Sequence, residues 1–545
     1  LETQELKIGL AFSGGGYRAA SFSLGVLSYM NEITVGGKTL LHSICAISTV
    51  SGGTITGTRY AVGIKRGESF RDIYTAIYQF MTDTDLLKLS LDNLSSSKNW
   101  KGERLCSLIN AAADVYDKHL FNEAKFGLLM TDETPIHLKH LSFNATEFST
   151  AKQFRFQWSE KIKNPLPGVP ERGIIGNIDF NVPVPVAANI RMADILAASS
   201  CFPGGFEPIN FPTDFGVPAS KELDEFIKSN KCPVGLMDGG IVDNQGIEPL
   251  ILADQRMRKN AEPGAGKVCA LDLVIISDVT SPYMDKFNAS VLKKQNWWRA
   301  MTPAFILTIN TLLLLAAAVG LFVFISKGNI ALTILCTVVA TLTLVVYLIG
   351  SFLKSLPAKF QVPAVFLKPL GKLLKLKLLV YEGLIMNRAN ALMKMAGDVS
   401  LKHFRRLNYD KIYENKDWEN RRIMNAIYEL REGEAYEKKI EEGKMSPDLR
   451  PSQKIKDIAR TATGMGTTLW FTEEELQKKD MLNTLIASGQ VTMCWNLLEY
   501  IQNLKKESSN TNPKHQELIK CESLIMAHWK QYQDDPFWLI KKKYK

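Results

Sequence analysis

The chain has 545 residues, 46% hydrophobic and 22% charged, with a net charge of +10. That balance describes a folded protein with room for one large domain plus additions, or for two or three ordinary ones, and it excludes a chain disordered throughout. The positive charge suits nucleic acid or an anionic membrane surface and does not decide between them.

In chain order, residues 6–12 read as a short buried strand running into the turn Gly14-Gly15-Gly16, and 18–31 as a helix with apolar residues at helical spacing. The opening "LETQELKIGLAFSGGG" is charged and enters this strand directly, without the pattern of a signal peptide. "HSICAISTV" is a second buried strand, rich in small and β-branched residues, and it ends at Ser51-Gly52-Gly53 before a further helix. Residues 68–130 are helical and mixed in polarity, as a cap packed over a core would be. "IHLKHLSFNATEFST" and "KQFRFQWS" alternate as two strands around a turn. "MADILAASSCFPGGFEPI" is a helix broken at Pro203, "VGLMDGGIVDNQGIEPLILADQ" a strand, glycine turn and helix, and "ALDLVIISDVT" another buried strand. Strands alternating with helices define an α/β sandwich with a largely parallel sheet.

Residues 303–325 and 330–353 carry no charge, and each reaches the ~20 residues that cross a hydrocarbon core of roughly 30 Å. Buried core helices are the alternative, but those are usually shorter and keep some polar positions. Only "SKGN" separates the two stretches, so they are expected to form a transmembrane hairpin. Lys293, Lys294 and Arg299 precede it, Lys354, Lys359, Lys368 and Lys372 follow it, and the tip holds only Lys327. The positive-inside rule then puts both flanks, the globular part and both termini, in the cytoplasm. Trp297 and Trp298 stand where an interfacial anchor is expected. Residues 356–380, apolar with interspersed lysines, suit an interfacial helix. Residues 381–445 read as helical and solvated, and "TATGMGTTLW" as a late core strand. The end, "DDPFWLIKKKYK", reads as a second membrane-surface anchor or a frayed tail. The polybasic stretches adjoin the hairpin and interleave few aromatics, so membrane lipid is the expected partner and nucleic acid is not.

Eight cysteines without CxxC pairs suggest free thiols in a reducing compartment. Seven histidines show no metal-ligand spacing, and His137 and His140 face opposite sides of an apparent strand. No cofactor or metal is implied. "VGGKT" at 35–39 and "GAGK" at 264–267 lack the residues a phosphate-binding P-loop requires.

Chemistry concentrates at the turns that follow strands. "TVSGGT" meets the G-x-S-x-G elbow pattern at Gly53 and departs from it at Thr49, which holds the first glycine's place. Gly52 adds room after the serine, and the next helix aims its positive N-terminus at any developing oxyanion. Ser48, with no glycine within two positions, is the weaker candidate. Alone, such a serine reads more readily as a helix cap than as a nucleophile. Together, "FSGGGYRAA", "TVSGGT" and "MDGGIVDN", each just after a buried strand, resemble the patatin-like phospholipase family, and more loosely the catalytic domains of cytosolic phospholipase A2 and the lysophospholipases. The family pattern of GGGxR loop, serine elbow and DG[GA] motif is met at Gly14–Gly15–Gly16–Tyr17–Arg18, at Ser51 and at Asp238–Gly239–Gly240. "FNATEFSTAKQFRF" and "ILAASSCFPGGFEPI" resemble further family segments.

The resemblance implies a patatin-like three-layer α/β sandwich and a Ser–Asp dyad without histidine. Ser51 would be the nucleophile, Asp238 the general base, the amides of Gly14, Gly15 and Gly16 the oxyanion hole, and Arg18 a contact to phosphate or a brace for the loop. Thr49 departs from the family at the elbow. "DNQG" (Asn244, Gly246) stands where many members have Asn-x-Pro, a change expected to alter a loop. The organisation expected is a catalytic core over 1–290 with its cap at 68–130, a hairpin over 300–355, a basic interfacial segment over 356–380, a helical region returning to the core over 381–505 and a basic tail over 506–545. The function implied is a membrane-anchored serine acyl hydrolase of phospholipid or lysophospholipid esters. The alternatives are a non-catalytic relative that assembles in or perturbs membranes, and a neutral-lipid lipase or acyltransferase using the same dyad. Oligomeric state is left open, a homo-oligomer included.

Overall fold

The apolar run Ile8–Phe12, buried at every position, forms strand β1 at the middle of a sheet. The other strands are β2 (Ile44–Val50), β3 (His140–Glu147), β4 (Lys152–Ser159), β5 (Ile209–Phe211), β6 (Val234–Asp238), β7 (Leu273–Asp278) and β8 (Arg422–Ala426). The computed structural model describes residues 6–96, 100, 104–131, 135–163, 170–230, 232–260, 271–281, 286, 296–359, 375–506 and 513–544. Sheet order is β8-β7-β1-β2-β3-β6-β5, with β4 also paired to β3. The pairs from β8 through β3 are parallel, whereas β3–β4, β3–β6 and β6–β5 are antiparallel. The sheet is therefore mixed, which corrects the largely parallel expectation. Strands buried on both faces read as continuous apolar runs in either orientation, so burial alone does not reveal direction.

Two compact units divide the chain: Leu1–Tyr283 with Ser400–Lys545, and Met284–Val399. In the first, helices α1 (Gly16–Met30), α2 (Gly52–Lys65), α3 (Met192–Ser200) and α4 (Ile247–Lys259) flank the sheet. Within 68–130, where a cap is expected, the chain forms helices at Phe70–Asp83, Leu86–Ser95 and Leu108–Tyr116.

The second unit holds α5 (Pro303–Ser326) and α6 (Ile330–Lys359), with α7 (Leu378–Lys394) after them. Residues 303–326 and 330–352 are long and apolar enough to cross a membrane, with mean hydropathy 2.4 and 2.5, and only 11% and 6% of their apolar windows are buried. α5 and α6 run antiparallel: Asn310 Nδ2 donates to Thr343 O at 3.3 Å, and Thr311 meets the Tyr347 hydroxyl. The expected interfacial segment falls largely on 360–374, outside the described residues.

Past the second unit, three expectations are corrected. First, the stretch expected to be wholly helical contains α8 (Leu401–Tyr413) and then β8, which closes the sheet's edge against β7. Second, "TATGMGTTLW" is no strand: α9 (Gln453–Gly464) ends inside it and 465–472 is a loop. Third, the C-terminal segment packs on the first unit. Leu539 and Ile540 are buried, Tyr544 stacks on Tyr74 at 4.0 Å, and Lys543 pairs with Glu32 at 2.6 Å. Between them α10 (Met481–Lys506), buried along most of its length, crosses α1 where Gly25 and Gly489 meet.

Candidate active site

Register brings two of the three motif turns together. Val50 pairs with Asn144 and Asp238 with Ala145, so the residue after β2 and the last residue of β6 flank neighbouring positions of β3. Ser51 follows β2 with φ +51° and ψ −124°, a conformation that side-chain-bearing residues adopt only when their surroundings impose it.

What imposes it is a chain of hydroxyls beneath the turn. Ser51 N–H donates to Ser199 Oγ at 2.9 Å, and Ser199 Oγ donates to Asn144 O at 2.7 Å. With that proton committed, Thr54 Oγ1 donates to Ser199 Oγ (2.8 Å) and accepts from Thr49 Oγ1 (3.0 Å). Thr49, the departure from the family elbow, thus ends the chain. Its methyl packs where Gly57 has no side chain. Ser48 is fully buried, and its oxygen accepts from Asn144 Nδ2 at 2.9 Å. Sequence reasoning missed Ser199, Thr54 and Asn144. The available signal was the polar pair Ser199–Ser200 ending an apolar helix.

The first glycine turn closes on the same point. A Cβ on Gly52 would strike Gly16 O and stand 2.5 Å from Gly16 N, and one on Gly53 would stand 2.6 Å from Ser13 O. Gly16 has φ +57°, and a Cβ there would strike the carbonyls of Thr467 and Thr468. The loop at 465–472 therefore shapes this turn from outside: Tyr17 N–H donates to Thr468 O at 2.8 Å and Arg18 Nη1 to Met465 O at 2.6 Å. Arg18 is tied to that loop by this bond, and burial lowers its pKa to about 10.

One expected donor is already occupied. Gly14 N–H bonds Asn244 O at 2.9 Å. Among the described residues, the N–H groups of Gly15 and Gly16 have no hydrogen-bond acceptor. Gly14 instead supplies close approach, since its Cβ position lies 3.1 Å from Ser51 Cβ.

Asp238 is 2% exposed and Ser51 8%. Asp238 Oδ1 accepts from Gly240 N–H at 2.7 Å, while Oδ2 is buried without a hydrogen-bond partner. Burial pushes the carboxyl's pKa up to about 6, opposed by the neighbouring Ser51 hydroxyl and the Gly240 amide. Ser51 thus lies close to the carboxyl without a formed bond to Oδ2. Gly239 N–H bonds Ser199 O at 3.3 Å, and a Cβ on Gly239 would strike Asn144 O. Gly246 has φ +69°, which proline cannot adopt, and Asn244 O holds Gly14.

No group of three or more His, Cys, Asp or Glu side chains among the described residues has metal-binding geometry.

Residues 10–251 match the model of the patatin-like phospholipase family. The chain therefore carries a patatin-like phospholipase domain, a placement consistent with a hydrolase of lipid esters. The match spans Gly14–Gly16, Ser51 and Asp238 and ends before β7, β8 and the 465–472 loop. No curated protein matches the chain.

Proposed function

We propose that the chain is a membrane-anchored serine acyl hydrolase acting on phospholipid or lysophospholipid esters. The observation that carries this reading is the Asp238 carboxylate, buried with one oxygen unpaired beside a serine held at positive φ. In the first step Asp238 takes the Ser51 proton as Oγ attacks the ester carbonyl. The amides of Gly15 and Gly16, with the N-terminus of α2, hold the oxyanion as charge moves onto it. Asp238 then returns the proton to the departing alcohol oxygen of the lipid. Water, deprotonated by the same carboxylate, attacks the acyl carbon; the bond to Ser51 Oγ breaks, Asp238 passes the proton to that oxygen, and the fatty acid leaves. Arg18 completes the reading as support for the loop beside the donors.

The two apolar helices anchor the enzyme in the bilayer, with its flanks and the globular unit on the cytoplasmic side. A tethered site meets a substrate confined to two dimensions at high effective concentration. A fluorophosphonate probe tests the nucleophile, because it forms a stable adduct on an activated serine. Peptide mapping is expected to find the adduct on Ser51 and to find none in Ser51→Ala. An adduct on another serine, undiminished in Ser51→Ala, would overturn the assignment.

A further inference from the structure

Outside the family match, one buried carboxylate fastens the returning chain to the glycine turn. Asp278, the last residue of β7, is fully buried. Its Oδ2 accepts from Arg405 Nε at 2.9 Å, Tyr409 OH at 2.8 Å and Gln245 Nε2 at 3.4 Å. Arg405 Nη2 also donates to the Tyr428 hydroxyl at 3.1 Å. Oδ1 accepts from Thr280 N–H at 2.8 Å, fixing the turn that leaves the strand.

That turn bears directly on the candidate oxyanion donors. Val279 N–H donates to Ser13 Oγ at 3.0 Å, and Val279 Cγ2 lies 2.6 Å from where a Gly15 Cβ would stand. Thr280 Oγ1 accepts from Asn244 Nδ2 at 2.7 Å, and Asn244 O holds Gly14 N–H. α8 reaches the other motif as well, where Asn408 Nδ2 donates to Val242 O at 3.0 Å, four residues past Asp238. The chain leaves the first unit after Tyr283 and re-enters it at Ser400, so both connections to the second unit lie five residues from a member of this cluster.

From this juxtaposition we infer that Asp278, Arg405 and Tyr409 are positioning residues for the hydrolase site: they dock α8, the helix on which the chain returns from the second unit, and so hold Gly15 and Gly16 in donor geometry. The inference rests on the proposed reading of Ser51 and the glycine turn. A purely structural clamp would stabilise the fold without setting the turn, and the molecule contains a control for that. Arg421 ties Asp254 (2.8 Å) and Leu271 O (2.9 Å) at the opposite end of β7, equally buried and away from the glycine turn.

The test uses the full chain in detergent and reads two quantities: the melting temperature, and the rate constant for fluorophosphonate labelling of Ser51. Arg405→Ala and Arg421→Ala are both expected to lower the melting temperature. Only Arg405→Ala should slow labelling of the folded protein, by about 100-fold, as misplacement of donors by an ångström does. Arg405→Lys, which keeps a cation on Asp278, should return the rate to within about tenfold of wild type, and Tyr409→Phe should fall between them. Equal labelling rates in wild type and Arg405→Ala, or equal slowing by Arg421→Ala, would overturn the positioning role. Wild type that takes no adduct at Ser51 would instead remove the hydrolase reading on which it rests.

Discussion

Ser51 and Asp238 are two ordinary side chains made unusual by where the backbone puts them. The serine is forced to φ +51° by a bonded amide on one side and two close-packed glycine turns on the other. The aspartate, cut off from water, has its pKa raised to about 6. As the proposed base it has to be ionised, so kcat/KM is expected to fall about tenfold per pH unit below that value. Stability should run the opposite way. Because the folded-state pKa lies above that of the unfolded chain, the folded state holds the proton more tightly. Its contribution is fully present near pH 3 and is lost as pH rises through about 6. At pH 8 the buried charge destabilises the fold by up to about 3 kcal/mol. Asp238→Asn should therefore be inactive yet melt at a higher temperature than wild type at pH 8, with the gap closing toward pH 4. An Asp238→Asn protein less stable than wild type at pH 8 would contradict the assignment of that charge. Ser51, Asp238 and the glycine triplet were legible because each stands where a buried apolar run stops. Ser199 was not, because it acts through a hydroxyl chain assembled from β2, α2, β3 and α3, residues remote in sequence.

Elements whose burial pattern repeats were readable, and those whose role comes only from contact were not. β1, β2 and β7 are apolar runs flanked by turns. β8 is five residues long and opens with Arg422, whose guanidinium bonds Ile412 O at 2.6 Å and lies over Tyr413, so a strand at the sheet's edge looks like charged surface. "TATGMGTTLW" reads as a late core strand, yet Thr461 and Thr463 turn their hydroxyls onto the carbonyls of Asp457 and Ala459 within α9. The crossing of α1 and α10 carries its own prediction. A Cβ on Gly489 would fall on Phe22 O and one on Gly25 on Ile486 O, backbone against backbone. Gly489→Ala must push these buried helices apart, and about 3 kcal/mol or more of destabilisation is expected in denaturant unfolding. A change below about 0.5 kcal/mol, the level of a neutral surface substitution, would show that the helices do not meet there.

At the scale of the whole molecule, one α/β unit is interrupted in sequence, between Tyr283 and Ser400, by a unit bearing two apolar helices. The family match covers only the segment before the interruption, while β8, the loop on Arg18 and Tyr17, and α10 come from the segment after it. The sheet and the glycine turn are therefore complete only once the chain has returned. The C-terminal segment, read from its lysines as an anchor or loose tail, is instead held by Lys541–Asp535 and Lys543–Glu32 ion pairs and by the apolar residues between the charges. The most direct test of the central claim is fatty-acid release from phospholipid vesicles carrying this chain. Wild type is expected to release free fatty acid, and Ser51→Ala and Asp238→Ala, inserted at equal density, to release it at least about a thousandfold more slowly. Release at wild-type rate by both variants would contradict the account.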